Sequence, residues 1–330
     1  MPVASQLSFD RGIPRDIVHR ESIAEVFLTD NDSSKDCAVF AAQLPRNHSY
    51  FSDHRGASTT YDPLLLVEVF RQVAIGYAHI YLDVGRDQKF IFNSAGFEVT
   101  TTEALTIGSC PGHCVVKAQV SDRKYFNGHV TGLTLEMSAV IDGIEAARET
   151  MVYQWVPKEV WARIRSKGRA ALSLGEDPTV LSKPAAFRMR PSSVGRHNPR
   201  NAILADPRVD DAGVSALTII DTDHPSLFDH ALDHIPGMLQ FEAARQIAMA
   251  AANVSLGLDT TRLVMDEISI TFERFGEFEL DTIARATVQF DESDSQAAIA
   301  SFVISQDSQN IALGEVHLSL LPANTWTLIQ

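Results

Sequence analysis

From Pro63 to Tyr81 the chain is apolar apart from Glu68, Arg71, Gln72 and His79. Apolar residues on every face predict a buried helix, not an amphipathic surface helix. Pro63 stands where the first turn would form and its missing N–H costs nothing. Leu, Ala, Glu, Arg and Gln are good helix formers. The stretch Ile235 to Ala248 repeats the pattern. Both copies read Pro, an apolar run, then Glu-x-x-Arg-Gln-apolar-Ala. Glu242 follows Glu68 by 174 residues and Pro236 follows Pro63 by 173, so one copy carries a one-residue insertion. A self-match at a domain-sized period predicts duplication of a whole domain.

Alternating or β-branched segments follow each helix. In the first half they predict strands over 89–101, 113–122, 130–141 and 145–156. In the second half they fall at 263–275, 282–291, 296–306 and 310–321. Further strands are expected near 37–44 and 214–221. The stretch from Ile144 to Arg148 has a helix-friendly composition and carries the weakest strand signal. One buried helix with five or more antiparallel strands predicts a sheet wrapped around a helix. This is the hotdog architecture, of α+β class and here in tandem. The expected organisation is a first repeat over 1–156, a linker over 157–200 and a second repeat over 201–330, the repeats packed as an intrachain pseudo-dimer.

The linker changes the charge picture. Between Pro157 and Arg200 there are ten Lys or Arg against Glu159, Glu176 and Asp177, while the whole chain carries −14. Pro178, Pro184, Pro191 and Pro199 lie in the same stretch, and prolines at that density stop regular elements. A solvated connector is the plain reading. A landing strip for an acidic partner or a phosphate is the sharper one. The overall sign argues against direct nucleic-acid binding, which needs a basic footprint.

Composition bounds the class. With 330 residues, 45% hydrophobic and 21% charged, the chain reads as an ordinary globular protein of two domains or one large one. No apolar run reaches ~18 residues, so no membrane span is expected. The N-terminus has no basic region followed by an apolar core and does not read as a signal peptide. Three cysteines suit a reducing compartment. The expected location is the cytoplasm.

Candidate chemistry sits on the helices. Residues three apart share a helix face. A carboxylate and a guanidinium in an apolar helix are costly unless paired or used. An internal structural ion pair is the plain reading of Glu68–Arg71 and Glu242–Arg245, and a functional role is the sharper one. Histidines precede both helices. His54 lies fourteen residues before Glu68, and His230 lies twelve before Glu242. A His and a Glu across a cleft form an acid/base pair; loop capping is the alternative for His54, His230 and His234. The His230-to-Glu242 spacing resembles that of β-hydroxyacyl-carrier-protein dehydratases. Arg245 replaces a small or apolar residue there, which argues against plain dehydration and adds an anion-binding group. Cys110-Pro111-Gly112-His113-Cys114 lacks the fourth ligand of a zinc site, and no metal or cofactor is expected. The chain has no Gly-x-Ser-x-Gly, no P-loop and no dinucleotide fingerprint. No Cys lies near either Glu-x-x-Arg to act as a nucleophile.

Longer motifs carry a family resemblance. They are Val18-His19-Arg20, Ala24-Glu25-Val26-Phe27-Leu28-Thr29-Asp30, His48-Ser49-Tyr50-Phe51 and Tyr61-Asp62-Pro63-Leu64-Leu65-Leu66 with Glu68, Arg71 and Gln72. They resume at Asp229-His230 and Asp233-His234-Ile235-Pro236-Gly237-Met238, then Glu242-Ala243-Ala244-Arg245-Gln246. In these the chain resembles the A-factor biosynthesis (AfsA-like) γ-butyrolactone synthases, over nearly its whole length except the linker and the tail. The resemblance implies transfer of a β-ketoacyl group from acyl carrier protein to the hydroxyl of dihydroxyacetone phosphate. This is the key step toward a γ-butyrolactone signal that controls secondary metabolism. It further implies Glu68, Glu242 and Arg245 as essential residues, with Arg71, Gln72, Gln246, His54 and His230 as substrate-binding candidates.

The residue types fit that chemistry. An alcohol needs a general base, and burial in an apolar pocket is expected to raise a Glu pKa toward that task. The reading places the base at Glu242, with Glu68 positioning substrate or serving a second site. Arg offers a fork for a phosphate or a thioester oxyanion. Backbone N–H groups near Pro236-Gly237 add oxyanion stabilisation. The donor is a carrier-protein or coenzyme A thioester, and the protein a monomer or homodimer. Alternative functions are a hotdog dehydratase or thioesterase, or a non-catalytic lactone-binding regulator.

Overall fold

Two copies of one strand-and-helix sequence build the molecule. The computed structural model describes residues 7–34, 37–54, 60–180, 187–292 and 296–321. In the first repeat lie β1 (Leu28–Ser34), β2 (Cys37–Leu44), α1 (Pro63–Tyr81), β3 (Lys89–Val99), β4 (Gly112–Phe126), β5 (His129–Ile141) and β6 (Ile144–Val156). A connecting helix α2 (Lys158–Ala171) follows. The second repeat holds β7 (Leu204–Asp210), β8 (Gly213–Thr218), α3 (Gly237–Leu256), β9 (Leu263–Phe272), β10 (Ile283–Phe290), β11 (Ala297–Gln306) and β12 (Gln309–Leu320). Each repeat thus runs strand, strand, helix and four strands.

The twelve strands form one sheet in the order β1-β2-β4-β5-β6-β3-β9-β12-β11-β10-β8-β7. Read from either end, the order is the same set of equivalent strands. The seam is the antiparallel pair β3–β9, with Ser94 opposite Thr271 and Glu98 opposite Glu267. Both central helices are buried, and one continuous apolar core joins them to the sheet. By length and composition α1 suffices to cross a membrane, but here it is mostly buried inside the protein. Asp62 caps α1, its side chain accepting from the Leu64 N–H at 2.9 Å. Asn127-Gly128 and Asp142-Gly143 close the β4–β5 and β5–β6 hairpins. Positive φ at both turn residues matches the twist of the flanking strands.

Two strands depart from the sequence reading, and the weakest of the predicted ones is present. β1 and β7 are strands the pattern does not predict. Both are edge strands, and β1 reads Leu-Thr-Asp-Asn-Asp-Ser-Ser. Polar edges discourage pairing with other chains, so they lack the alternation that marks inner strands. The Ile144–Arg148 stretch is the start of β6, where pairing with β5 overrides its helical composition.

The linker is the largest departure. The prolines expected to break it all follow residue 171, so the stretch before them folds as α2. Trp161, Arg165 and Arg169 lie four apart along one face and are buried. Arg165 meets both oxygens of Glu277 at 2.6 and 2.8 Å. Arg169 meets Glu277 at 2.6 Å and Glu279 at 2.7 Å. Arg196 is fully buried. Three of the ten basic residues, Arg165, Arg169 and Arg196, are thus internal clamps onto the second repeat and not part of a solvated strip. Residues 181–186 of the expected linker lie outside the described residues.

Candidate active site

The two helical glutamates each sit in a closed set of hydrogen bonds. Glu242 accepts from Arg196 through Nε at 2.8 Å and Nη2 at 2.7 Å, and from the Tyr50 hydroxyl at 2.9 Å. Arg245 and Gln246, one turn on, also donate to it. Arg245 reaches Asp62 of the first repeat at 2.7 Å. The second repeat therefore supplies the carboxylate and Arg245, the segment leading into it supplies Arg196, and the first repeat supplies Tyr50 and Asp62.

Glu68 is bound in the same way by Arg20, Arg71 and Gln72. Arg71 donates from Nε at 2.8 Å and Nη2 at 2.9 Å, and Arg20 from Nε at 3.1 Å. Gln72 donates to Glu68 at 2.7 Å, donates to the Glu25 carbonyl at 2.7 Å and accepts from the Phe27 N–H at 3.0 Å. Gln246 bridges Asn201 and Ile203 identically, at 2.7 and 3.0 Å. The two glutamines fix each helix against the segment before its first strand, which brings Arg20 and Arg196 onto the glutamates.

These partners overturn one expectation. Burial alone raises a carboxyl pKa, but at Glu68 the charges of Arg20 and Arg71 outweigh it and hold the group at about 2. Burial likewise opposes ionisation at Glu242, and Arg196 and Arg245 outweigh it, so its pKa is lowered. Asp62 is held at about 2 against its burial by Arg245, with His54 and Arg196 adding to the effect. All three are ionised at neutral pH, and carboxylates of such low proton affinity are poor general bases.

Histidine pairing crosses between the repeats. His54 Nδ1 lies 4.0 Å from Asp62, and its backbone bridges Arg196, the partner of Glu242. His230 is depressed by burial and then by Arg20 and Arg71, the partners of Glu68. The within-repeat pairing inferred from spacing is therefore replaced by His54 with the Glu242 cluster and His230 with the Glu68 cluster. His230 is neutral near pH 7, with Nδ1 at 3.5 Å from Asp229. His234 lies 2.6 Å from Asp233 at the start of α3 and lines a cleft with Gly237, Phe90 and Phe275. The α3 N-terminus therefore does border an open space. In the Cys110–Cys114 stretch, Cys110 is exposed and Cys114 buried.

Sequence reasoning missed Arg20, Arg196, Tyr50 and Asp62 as site members. A signal for them exists. His48-Ser49-Tyr50-Phe51-Ser52-Asp53-His54 and His224-Pro225-Ser226-Leu227-Phe228-Asp229-His230 share His-x-x-apolar-x-Asp-His at a spacing of 176. The same spacing relates Arg20 to Arg196. In both copies the leading His accepts two backbone N–H groups through Nδ1, at 3.2 Å for His48 and at 3.2 and 3.3 Å for His224. Glu149 was also missed. It projects from β6, is buried, and neither carboxyl oxygen has a hydrogen-bond partner. Burial, reinforced by the charge of Glu68, pushes its pKa well up, so it is a neutral acid.

Fold and seam together define a tandem hotdog protein with two crossed carboxylate–guanidinium clusters. A pyran synthase domain from the sorangicin pathway shares the architecture at TM-score 0.53 and 10% identity, over 90% of this chain and 98% of that one. Sequence narrows the class. The A-factor biosynthesis hotdog domain model matches residues 3–157 and 179–322, and the chain belongs to that family. It is 30% identical over 239 residues to a 2-oxo-3-(phosphooxy)propyl 3-oxoalkanoate synthase of Streptomyces virginiae, covering 72% of this chain and 76% of the relative. A synthase of the same name from Streptomyces coelicolor is 26% identical over 278 residues, covering 84% and 82%.

Proposed function

We propose that this protein is an acyltransferase. It moves a β-ketoacyl group from an acyl carrier protein thioester to the primary hydroxyl of dihydroxyacetone phosphate. The supporting names describe an ester of a 3-oxoalkanoate with a phosphooxy-ketone, which those two substrates yield. In the step, the alcohol oxygen bonds to the thioester carbonyl carbon and the C–S bond breaks. The hydroxyl proton ends on the departing thiol.

The observation that carries the reading is the double Glu–Arg–Arg–Gln cluster on the two central helices. Its guanidiniums are held by ionised Glu68 and Glu242, so they are oriented before substrate arrives. Such fixed cations stabilise a thioester oxyanion without reorganising. In this reading the glutamates anchor the arginines, and the proton acceptor is a neutral imidazole. His230 meets that requirement, being unprotonated at neutral pH and 31% exposed. Arg245, anchored by Glu242, serves the carbonyl, Gln246 and Gln72 fix the helices, and His54 braces Asp62.

The test is mass spectrometry of purified protein incubated with a β-ketoacyl carrier-protein thioester and dihydroxyacetone phosphate. The expected product is the phosphorylated keto ester. Free β-keto acid with no ester identifies a thioesterase instead. Unchanged substrates, with a lactone bound stoichiometrically, identify a binding regulator.

A further inference from the structure

The two clusters are built alike but are not balanced alike. At Glu242, both guanidiniums have their outer nitrogens taken. Arg196 Nη1 donates to the Tyr50 carbonyl at 2.9 Å, and Arg245 Nη1 donates to Asp62 at 2.7 Å. At Glu68, Nη1 of Arg20 and Nη1 of Arg71 donate to no acceptor among the described residues. Their other nitrogens hold Glu68 and the Val18 carbonyl. The reason is legible in the chain. Asp62 precedes Pro63 of α1, and the residue preceding Pro236 of α3 is Ile235. The second carboxylate is therefore missing from the Glu68 cluster.

Other charges nearby do not repair the balance. Asp229 accepts from the backbone N–H groups of Glu21 and Ser22 at 2.6 and 2.9 Å; its charge favours both guanidiniums through space, but it forms no ion pair with either among the described residues. His19 is bound to His79 at 2.9 Å. It is held at about 3 by burial, then by His79, Arg71, His230 and Lys89. Arg71 is the one guanidinium of the four whose pKa is lowered, by burial and by the charge of Arg20, despite Glu68. The Glu68 cluster is also the more open. Side-chain exposure is 15% at Arg71 and 31% at His230, against 0% at Arg196 and 4% at Arg245.

We infer that Arg20 and Arg71, with His230 beside them, form the binding site for a phosphate monoester, and that the Glu242 cluster does not bind one. Two guanidinium forks directly paired with one carboxylate leave a partly desolvated excess of positive charge, and phosphate matches such forks. The identity of the ligand as a phosphorylated hydroxyketone rests on the acyl-transfer reading. The phosphodiester of a carrier protein's pantetheine arm shares part of this chemistry, and the experiment separates the two.

The test is calorimetric titration of the full chain with dihydroxyacetone phosphate, inorganic phosphate, unphosphorylated dihydroxyacetone and a holo acyl carrier protein, whose arm is joined through a phosphodiester. Wild type should bind the first two at one site and the unphosphorylated ketone not at all. Arg71→Met should weaken dihydroxyacetone phosphate binding on the order of ten- to a hundredfold, and Arg245→Leu should leave it near wild type. In turnover, Arg71→Met should raise KM for dihydroxyacetone phosphate far more than it lowers kcat. Arg71→Lys, which keeps the charge and loses the fork, should give an intermediate loss and replaces the Met variant if that one does not fold. Unchanged binding in both Arg71 variants, loss of binding in Arg245→Leu alone, or Arg71-dependent preference for the holo carrier protein overturns the assignment. If wild type binds the triose phosphate through Arg71 but forms no ester, the site stands and the acyl-transfer reading fails.

Discussion

Tyr50 of the first repeat donates its hydroxyl to Glu242 of the second at 2.9 Å, with the Arg196 guanidinium stacked 4.5 Å above its ring. One side chain thus ties the two repeats through a hydrogen bond to a buried charge and through a cation–π contact. Tyr50→Phe keeps the ring and removes only the hydroxyl. Hydrogen bonds to charged groups contribute about 1.5–3 kcal/mol, and urea unfolding should show a loss of that size. A loss near zero would show that the arginines alone satisfy Glu242.

Glu242→Gln leaves Arg196 and Arg245 facing only Asp62. Breaking a buried ion pair from one side costs about 3–5 kcal/mol, so this variant should be clearly destabilised yet still fold in the cold. Per folded molecule, ester formation by Glu242→Gln and by Arg245→Leu should fall by roughly a hundred- to a thousandfold. Turnover near wild type in folded variants refutes a role for this cluster, and loss explained wholly by unfolding makes it structural.

Basic residues on α2 divide into two kinds. Arg165 and Arg169 are buried against Glu277, whereas Arg163 and Lys167 face solvent. Reversing all four to Glu would place new carboxylates against Glu277 and Glu279 and should unfold the contact. Reversing only Arg163 and Lys167 should preserve Tm and slow reaction with a carrier-protein donor at low salt. The effect should fade as the Debye length falls to about 8 Å near physiological ionic strength. Equal rates with a carrier protein and with a small uncharged thioester, before and after reversal, leave these two residues without a steering role.

An isolated fragment 1–160 exposes the edge of β3 that Glu267–Thr271 of β9 covers. Unpaired strand edges recruit other chains. The fragment should run as a dimer or larger in size-exclusion chromatography, and a stable monomer would show that the seam is not needed to satisfy β3.

Glu149 and Glu68 should act oppositely on stability as pH changes. The pKa of Glu149 is raised on folding. Below about pH 4.3 it is protonated in both states. Above that, only the unfolded chain ionises, so stability falls with rising pH by up to roughly 1.4 kcal/mol per pH unit. Glu68 is held at about 2, so its contribution is complete above the unfolded pKa and disappears as pH falls toward 2. Urea unfolding of Glu149→Gln against wild type should show no difference near pH 4 and a growing advantage for the variant toward pH 7. A flat difference would mean that the native carboxyl is ionised.

Much of the fold is present in the order of residues. The repeated Glu-x-x-Arg-Gln marks both central helices because a helix apolar on all faces must be buried, whatever packs around it. Alternation marks the inner strands because each has one face on that helix and one on solvent. The edge strands β1 and β7 escape because polar edges need no alternation, and α2 escapes because its buried arginines read as solvated charge until Glu277 and Glu279 are placed beneath them. The site is legible only by halves. Glu68, Arg71, Gln72 and their copies lie within one helical turn or so of each other, so spacing alone brings them together. Arg20 and Arg196 reach the glutamates from about 46–48 residues away in the chain, and Tyr50 and Asp62 join the Glu242 cluster from the other repeat. Sequence distance says nothing about such contacts, so spacing pairs each His with the Glu of its own repeat, whereas packing crosses them. The proton affinity of both glutamates follows from the same fact. Burial by itself predicts a raised pKa; the second guanidinium, delivered only by tertiary packing, reverses the sign.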